Sequence, residues 1–137
     1  MGVTMTGGCL CGAVRYVYEG EPGPANYCHC SDCRRRTGSA FNVSVRGEAA
    51  NLRLLGGSPK GFTKAADSGN ELTRFFCPDC GSPLWTAPQR YPGTVFIAAG
   101  CIDDPSLVRP KHQSWTDSRV PWAEVAHDLA SFARGRT

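Results

Sequence analysis

Three thiols within six residues, Cys28-His29-Cys30-Ser31-Asp32-Cys33, constrain this chain more than any other stretch of it. In an extended segment alternate side chains share a face, so Cys28 and Cys30 project to one side and His29 to the other. A turn then has to bring Cys33 round to join them. Three sulfurs aimed at one point suit the tetrahedral demand of Zn²⁺. A structural zinc is normally closed by four protein ligands, whereas a catalytic one keeps a corner open. A local set of three therefore raises the question of what fills the fourth position.

The other cysteines are Cys9, Cys11, Cys77, Cys80 and Cys101. Gly7-Gly8-Cys9-Leu10-Cys11-Gly12 is a glycine-flanked C-x-C. Cys77-Pro78-Asp79-Cys80-Gly81 has the form of a zinc knuckle, in which the turn aims N–H groups at the second sulfur and Gly81 adopts the left-handed conformation. Cys9, Cys11, Cys77 and Cys80 sum to the four ligands of a closed structural site joining two distant segments. Three local thiols remain, with Cys101 as the spare. Seven of the eight cysteines fall in C-x-C or C-x-x-C groups with no secretory leader, which favours metal over disulfides. A redox C-x-x-C pair and an iron–sulfur cluster are the competing readings of the same spacings.

The 137 residues fit one domain spanning 1–137. Period-two alternation predicts strands over 13–19, with Val14, Tyr16 and Tyr18 on one face, and over 41–46, with Phe41, Val43 and Val45 inward. Further strands are expected over 52–55 and 94–99, with a hairpin formed by 61–65 and 71–76 around Asp67-Ser68-Gly69-Asn70. Ser31 is placed to cap a single helical turn through Cys33, Arg34 and Arg35. From Pro121 onward, Trp122, Val125, Ala126, Leu129, Phe132 and Ala133 recur at helical spacing and predict a C-terminal helix that carries His127. The expected class is mostly β. No run approaches the ~18 apolar residues of a membrane span, so a soluble, cytoplasmic protein is expected. A net charge of +3 does not call for a polyanionic partner such as nucleic acid.

Gly8-Cys9-Leu10-Cys11-Gly12-Ala13-Val14-Arg15-Tyr16, then CHCSDCRRRTGSAF at 28–41, FFCPDCGSPLW at 75–85 and AAGCIDDP at 98–105, resemble the glutathione-dependent formaldehyde-activating enzyme family, which includes centromere protein V. The resemblance implies a β-tent, a single domain of small antiparallel sheets organised around zinc-binding knuckles. It implies a structural zinc on Cys9, Cys11, Cys77 and Cys80, and a second, catalytic zinc on Cys28, Cys30 and Cys33. Pro110-Lys111-His112 and Trp122 are similar to the family's C-terminal Pro, His and Trp, with one residue fewer between Pro and His than in P-x-x-H, which makes His112 a candidate to relay a proton or contact substrate. Cys101 departs from the family, which more often has Thr or Ser there.

Three thiolates on Zn²⁺ leave a net charge near −1, a weak activator of water and a good host for one more soft sulfur. A thiol bound there gives up its proton and can add to an aldehyde to form a hemithioacetal, or the reverse reaction can split the carbon–sulfur bond. If the thiol is glutathione, Arg34, Arg35 and Arg36 are candidates to meet its carboxylates; a solvated basic turn is the alternative. His29, turned away from the sulfurs, is expected to pack behind them. Asp32 and Asp79 are turn formers, and Trp85, Trp115 and Trp122 are candidates for core or cleft. The expected function is a zinc-dependent carbon–sulfur lyase acting on glutathione–aldehyde adducts such as S-hydroxymethylglutathione. A zinc-stabilised binding module contacting protein or nucleic acid is the alternative, favoured if Cys101 closes the second site.

Overall fold

A computed structural model of the chain describes residues 3–124 and 129–135. Its first sheet is β1 (Thr4–Gly8), β2 (Arg15–Glu19) and β5 (Leu52–Gly56), with β2 in the middle. The second sheet has eight strands in the order β11 (Ala130–Ser131), β10 (Pro110–Ser114), β3 (Ala25–Cys28), β4 (Asn42–Glu48), β9 (Thr94–Ala98), β8 (Pro83–Pro88), β7 (Glu71–Phe76) and β6 (Lys60–Ala65). All pairings are antiparallel except those of β10, which runs parallel to both β3 and β11. One short helix, α1 (Ser31–Thr37), follows β3. The molecule is mostly β, as the alternation predicts.

The two sheets meet through one apolar cluster of Met5, Tyr16, Tyr18, Ala25, Val45, Val95, Ile97 and Ile102. Burying each of the larger of these side chains contributes about 1.5–3 kcal/mol. Gly47 makes room for the Tyr18 ring, since a Cβ there would lie 2.8 Å from a ring carbon, and the Tyr18 hydroxyl accepts from Glu48 N–H at 2.9 Å. Because side chains alternate, the residues of β4 that do not enter this core, Asn42, Ser44 and Arg46, all face the opposite side of the eight-stranded sheet. They join Asn26 and Cys28 of β3, Thr86 of β8 and Arg74 of β7 in lining a cavity. The polar face of the sheet is therefore the floor of a cleft.

Two expectations are corrected. The helix after β3 is longer than one turn and its N-cap is Cys30, not Ser31: the Cys30 sulfur accepts from Cys33 N–H at 3.3 Å. It stops at Gly38, whose φ of 68° is left-handed and whose N–H donates to Arg34 O. At the C-terminus the described residues form no helix. Ala130 and Ser131 pair with His112 and Gln113 as a strand, and the backbone groups of the following residues bond across to Gln113, Trp115, Thr116 and Asp117. Those bonds between distant segments use the N–H and C=O groups that a helix would have needed. Val125, Ala126 and His127 lie outside the described residues. Among the described residues no helix is long and apolar enough to cross a membrane.

Candidate metal centre and cavity

The strand leaving Gly8 turns at Cys9–Gly12 and returns as β2, and β7 turns at Cys77–Gly81 and returns as β8. These two turns face each other. Cys9, Cys11, Cys77 and Cys80 offer sulfurs all within 4.8 Å of one another. The Sγ atoms of Cys9 and Cys11 are 3.6 Å apart and those of Cys11 and Cys77 3.8 Å. A tetrahedron with arms of about 2.3 Å has edges of about 3.8 Å, so these separations fit a four-thiolate zinc. Val14 N–H donates to the Cys9 sulfur at 3.2 Å. Ser82, through its hydroxyl at 3.2 Å and its N–H, draws Cys80 down to about 5. Gly81 has the left-handed φ of 80° that the knuckle demands, and its N–H donates to Cys77 O at 2.8 Å. Cys77, Val14 and Leu84 are fully buried around this cluster.

The second cluster is local. Cys28 ends β3, Cys30 caps α1 and Cys33 lies in its first turn, and their sulfurs too are all within 4.8 Å of one another. Among the described residues no fourth His, Cys, Asp or Glu joins them. Cys101 is elsewhere: it packs against the four-thiol cluster and its sulfur donates to Pro83 O at 2.7 Å. Hydrogen bonds from Cys28 and Cys33, with smaller help from Cys33 N–H and the Arg74 charge, hold Cys30 at about 2 against the effect of burial. The hydrogen bond to Cys30 and burial push Cys28 up to about 11, and Cys33 is raised for the same kinds of reason, its bond to Cys28 first. The three titrate as one unit, which holds one thiolate readily and accepts more negative charge only with a cation among the sulfurs. Two cysteine clusters can thus hold metal ions.

Cys28 and Cys33 open into a cavity of about 240 Å³ lined by four arginines, Arg36, Arg46, Arg74 and Arg90, and, among the described residues, by no carboxylate. Of the three arginines after Cys33, Arg36 alone reaches this cavity. Its guanidinium is fixed by Phe75 O at 3.2 Å and Thr86 Oγ1 at 3.4 Å. Burial, and then the Arg74 cation, lower the Arg36 pKa, while Cys33 raises it. Arg35 lines a neighbouring cavity of about 420 Å³ with Asp32, Phe62 and Lys64, and Arg34 lines neither. Arg36 and Arg74 form the wall shared by both cavities. Arg74, 6% exposed, has Asp32 as its only ion-pair partner among the described residues, 4.0 Å away. Trp115 lines the main cavity from a left-handed backbone with φ of 57°, costly for a non-glycine residue and held by Arg134 O, which accepts its N–H. Trp85 is core, edge-on to Tyr16, and Trp122 is 71% exposed.

His112 stands on β10, its ring 6.1 Å from that of Phe132, and lines neither cavity. The histidine behind the sulfurs is His29, which is 1% exposed and edge-on to Phe41. Gln113 donates through Nε2 to Ser131 Oγ at 2.9 Å, so its Oε1 faces His29 and accepts from His29 Nε2–H at 3.1 Å. Burial lowers the His29 pKa despite the bond to Gln113, so the ring is neutral. Gln113 therefore braces the Cys28-x-Cys30 segment against the C-terminal strand. Gln113→Leu strands a buried donor on His29, and thermal or urea unfolding is expected to show a loss of about 1–3 kcal/mol.

The sequence reading missed Arg46, Arg74, Arg90 and Gln113. A signal existed for Arg74, which alternates with Leu72 and Phe76 on one face of β7, because a cation on an otherwise apolar strand face is rarely left unused.

Comparison with known proteins gives the fold and the family. A chain of known crystal structure from Rhodobacter sphaeroides is similar in fold, with a TM-score of 0.61 and 24% identity, over 74% of this chain and 93% of that one. A Halomonas elongata protein named "Putative glutathione-dependent formaldehyde-activating enzyme" is 32% identical over 127 residues, 88% of this chain and 80% of that protein. Residues 4–118 match the family model described as glutathione-dependent formaldehyde-activating enzyme. With both cysteine clusters inside one continuous match, the chain belongs to the glutathione-dependent formaldehyde-activating enzyme family.

Proposed function

We propose that this chain catalyses the making and breaking of the carbon–sulfur bond in glutathione–aldehyde adducts such as S-hydroxymethylglutathione. The four-thiol cluster is read as holding a structural zinc and the three-thiol cluster a second one. A zinc bound by three thiolates supplies an open position that takes a further thiol and lowers its pKa. The observation that carries the reading is the three-sulfur set that, among the described residues, no fourth His, Cys, Asp or Glu completes, opening through Cys28 and Cys33 into a cavity that no described carboxylate lines.

The chain's own residues do the rest. Arg36 and Arg74, beside the sulfurs, offset the negative charge that builds up there and favour the ionised form of an incoming thiol. In the forward direction the substrate sulfur attacks the carbonyl carbon, the carbon–oxygen π pair moves to oxygen, and oxygen takes the proton that the thiol lost. In reverse the carbon–sulfur bond breaks and the aldehyde leaves. Arg74, buried and with Asp32 at 4.0 Å as its one counter-ion among the described residues, is the group best placed to meet the developing oxyanion.

NMR exchange spectroscopy on glutathione and formaldehyde tests the reading. The zinc-loaded protein is expected to raise both the forward and the reverse rate at least about tenfold, a barrier reduction of only ~1.4 kcal/mol. A spontaneous rate left unchanged would remove the enzyme reading.

A further inference from the structure

The four guanidinium groups of the cavity fall into two pairs with different surroundings. Arg36 and Arg74 stand near the sulfurs, and their charges act on Cys33 and Cys30. Arg46 and Arg90 lie elsewhere, and each guanidinium carbon is 5.4 Å from the centroid of the Tyr91 ring. Asn42 on β4 is the register partner of Cys28. Arg46 is four residues further along the same face of that strand, about 14 Å at ~3.4 Å per residue. Tyr91 is what lets two like charges share one place, since its ring face attracts each cation. Among the described residues neither arginine has a carboxylate partner, and none of the described residues that line the cavity is a carboxylate. The remaining polar groups nearby, Ser44, Ser68 and Asn70, are neutral. Two forked cations steadied on one ring and open to the same cavity repel each other until an anion joins them, and the planar fork of guanidinium matches a carboxylate.

We propose that Arg46 and Arg90, braced by Tyr91, receive a carboxylate carried by the thiol substrate several bonds from its sulfur, so that the cavity selects anionic thiols over neutral or cationic ones. The inference rests on the thiol-binding reading of the Cys28, Cys30 and Cys33 cluster. It assigns substrate discrimination to two arginines on β4 and in the turn after β8, far in sequence from the basic run that follows Cys33.

Calorimetry on the zinc-loaded protein at low salt tests it, with glutathione and its diethyl ester as the probes. Both present the same thiol, and only the first presents carboxylates. The wild-type chain is expected to bind glutathione at least about tenfold more tightly than the ester, as charge-assisted hydrogen bonds allow. In the Arg46→Gln/Arg90→Gln variant that ratio is expected to collapse to within about twofold. Both side chains are exposed, so the substitutions leave the core alone, and the single variants, each losing part of the ratio, stand in if the pair does not fold. A wild-type chain that binds acid and ester equally, or a double variant that keeps the full preference, overturns the assignment while leaving the thiol reading standing. Binding of neither probe to the wild-type chain overturns both.

Discussion

Cys77→Ser is expected to yield insoluble or molten protein. Cys77 is fully buried at the point where the turn after β7 meets the turn before β2, so its cluster fastens two segments 66 residues apart, measured from Cys11. A zinc closed by Cys9, Cys11, Cys77 and Cys80 contributes an apparent binding free energy of about 10–16 kcal/mol, as much as the whole stability of a small domain at about 5–15 kcal/mol. Serine keeps the volume and loses the soft thiolate. Near-UV circular dichroism and zinc content of the soluble fraction report the outcome. A cooperative, native-like transition in the variant would mean that this cluster does not hold the fold together.

Cys30→Ser is expected to behave in the opposite way, folded but inactive. The ion of the three-thiol cluster closes only a short loop, and short loops carry little closure entropy. The Cys30 sulfur also caps α1 by accepting Cys33 N–H, and a serine hydroxyl is among the best N-caps, so the helix is retained. What goes is one of three ligands. Activity should fall by more than about 100-fold, the upper end of what outer-shell changes at metal sites already cost, with one zinc left per chain. Collapse as complete as that of Cys77→Ser would make the second cluster structural and bring forward the alternative of a zinc-stabilised binding module.

Much of the fold was legible because alternation in a sheet is a direct consequence of geometry. Val14, Tyr16, Tyr18 and Val45 are buried where the period-two pattern puts them, and the hairpin pairs Ala65 with Glu71 around the expected loop. The same alternation concealed the cavity. Asn42, Ser44 and Arg46 read as a solvent face, and only the long-range pairing that sets β4 among β3, β9, β8 and β7, which no local pattern records, makes that face part of a cleft. The thiol groupings were legible because ligand spacing is local, down to the left-handed Gly81. The role proposed for Arg46 and Arg90 was not, because it depends on β4 bringing Arg46 to the distant Arg90-Tyr91 pair. The C-terminal helix failed for a related reason: apolar spacing at 129–133 satisfies a helix, but the partners that the backbone bonds to are on β10 and in the turn that follows it.

The central claim, that the three-thiol cluster holds a zinc with room for one more sulfur, is tested most directly by zinc X-ray absorption on the purified protein with and without glutathione. Four ligands at one site and three at the other average to about 3.5 sulfurs per zinc at ~2.3 Å, and a bound substrate thiolate raises that average to about 4. S-methylglutathione, which has no thiol to ionise, should leave it unchanged. An average already at four without added thiol, or one that glutathione does not move, would contradict the account.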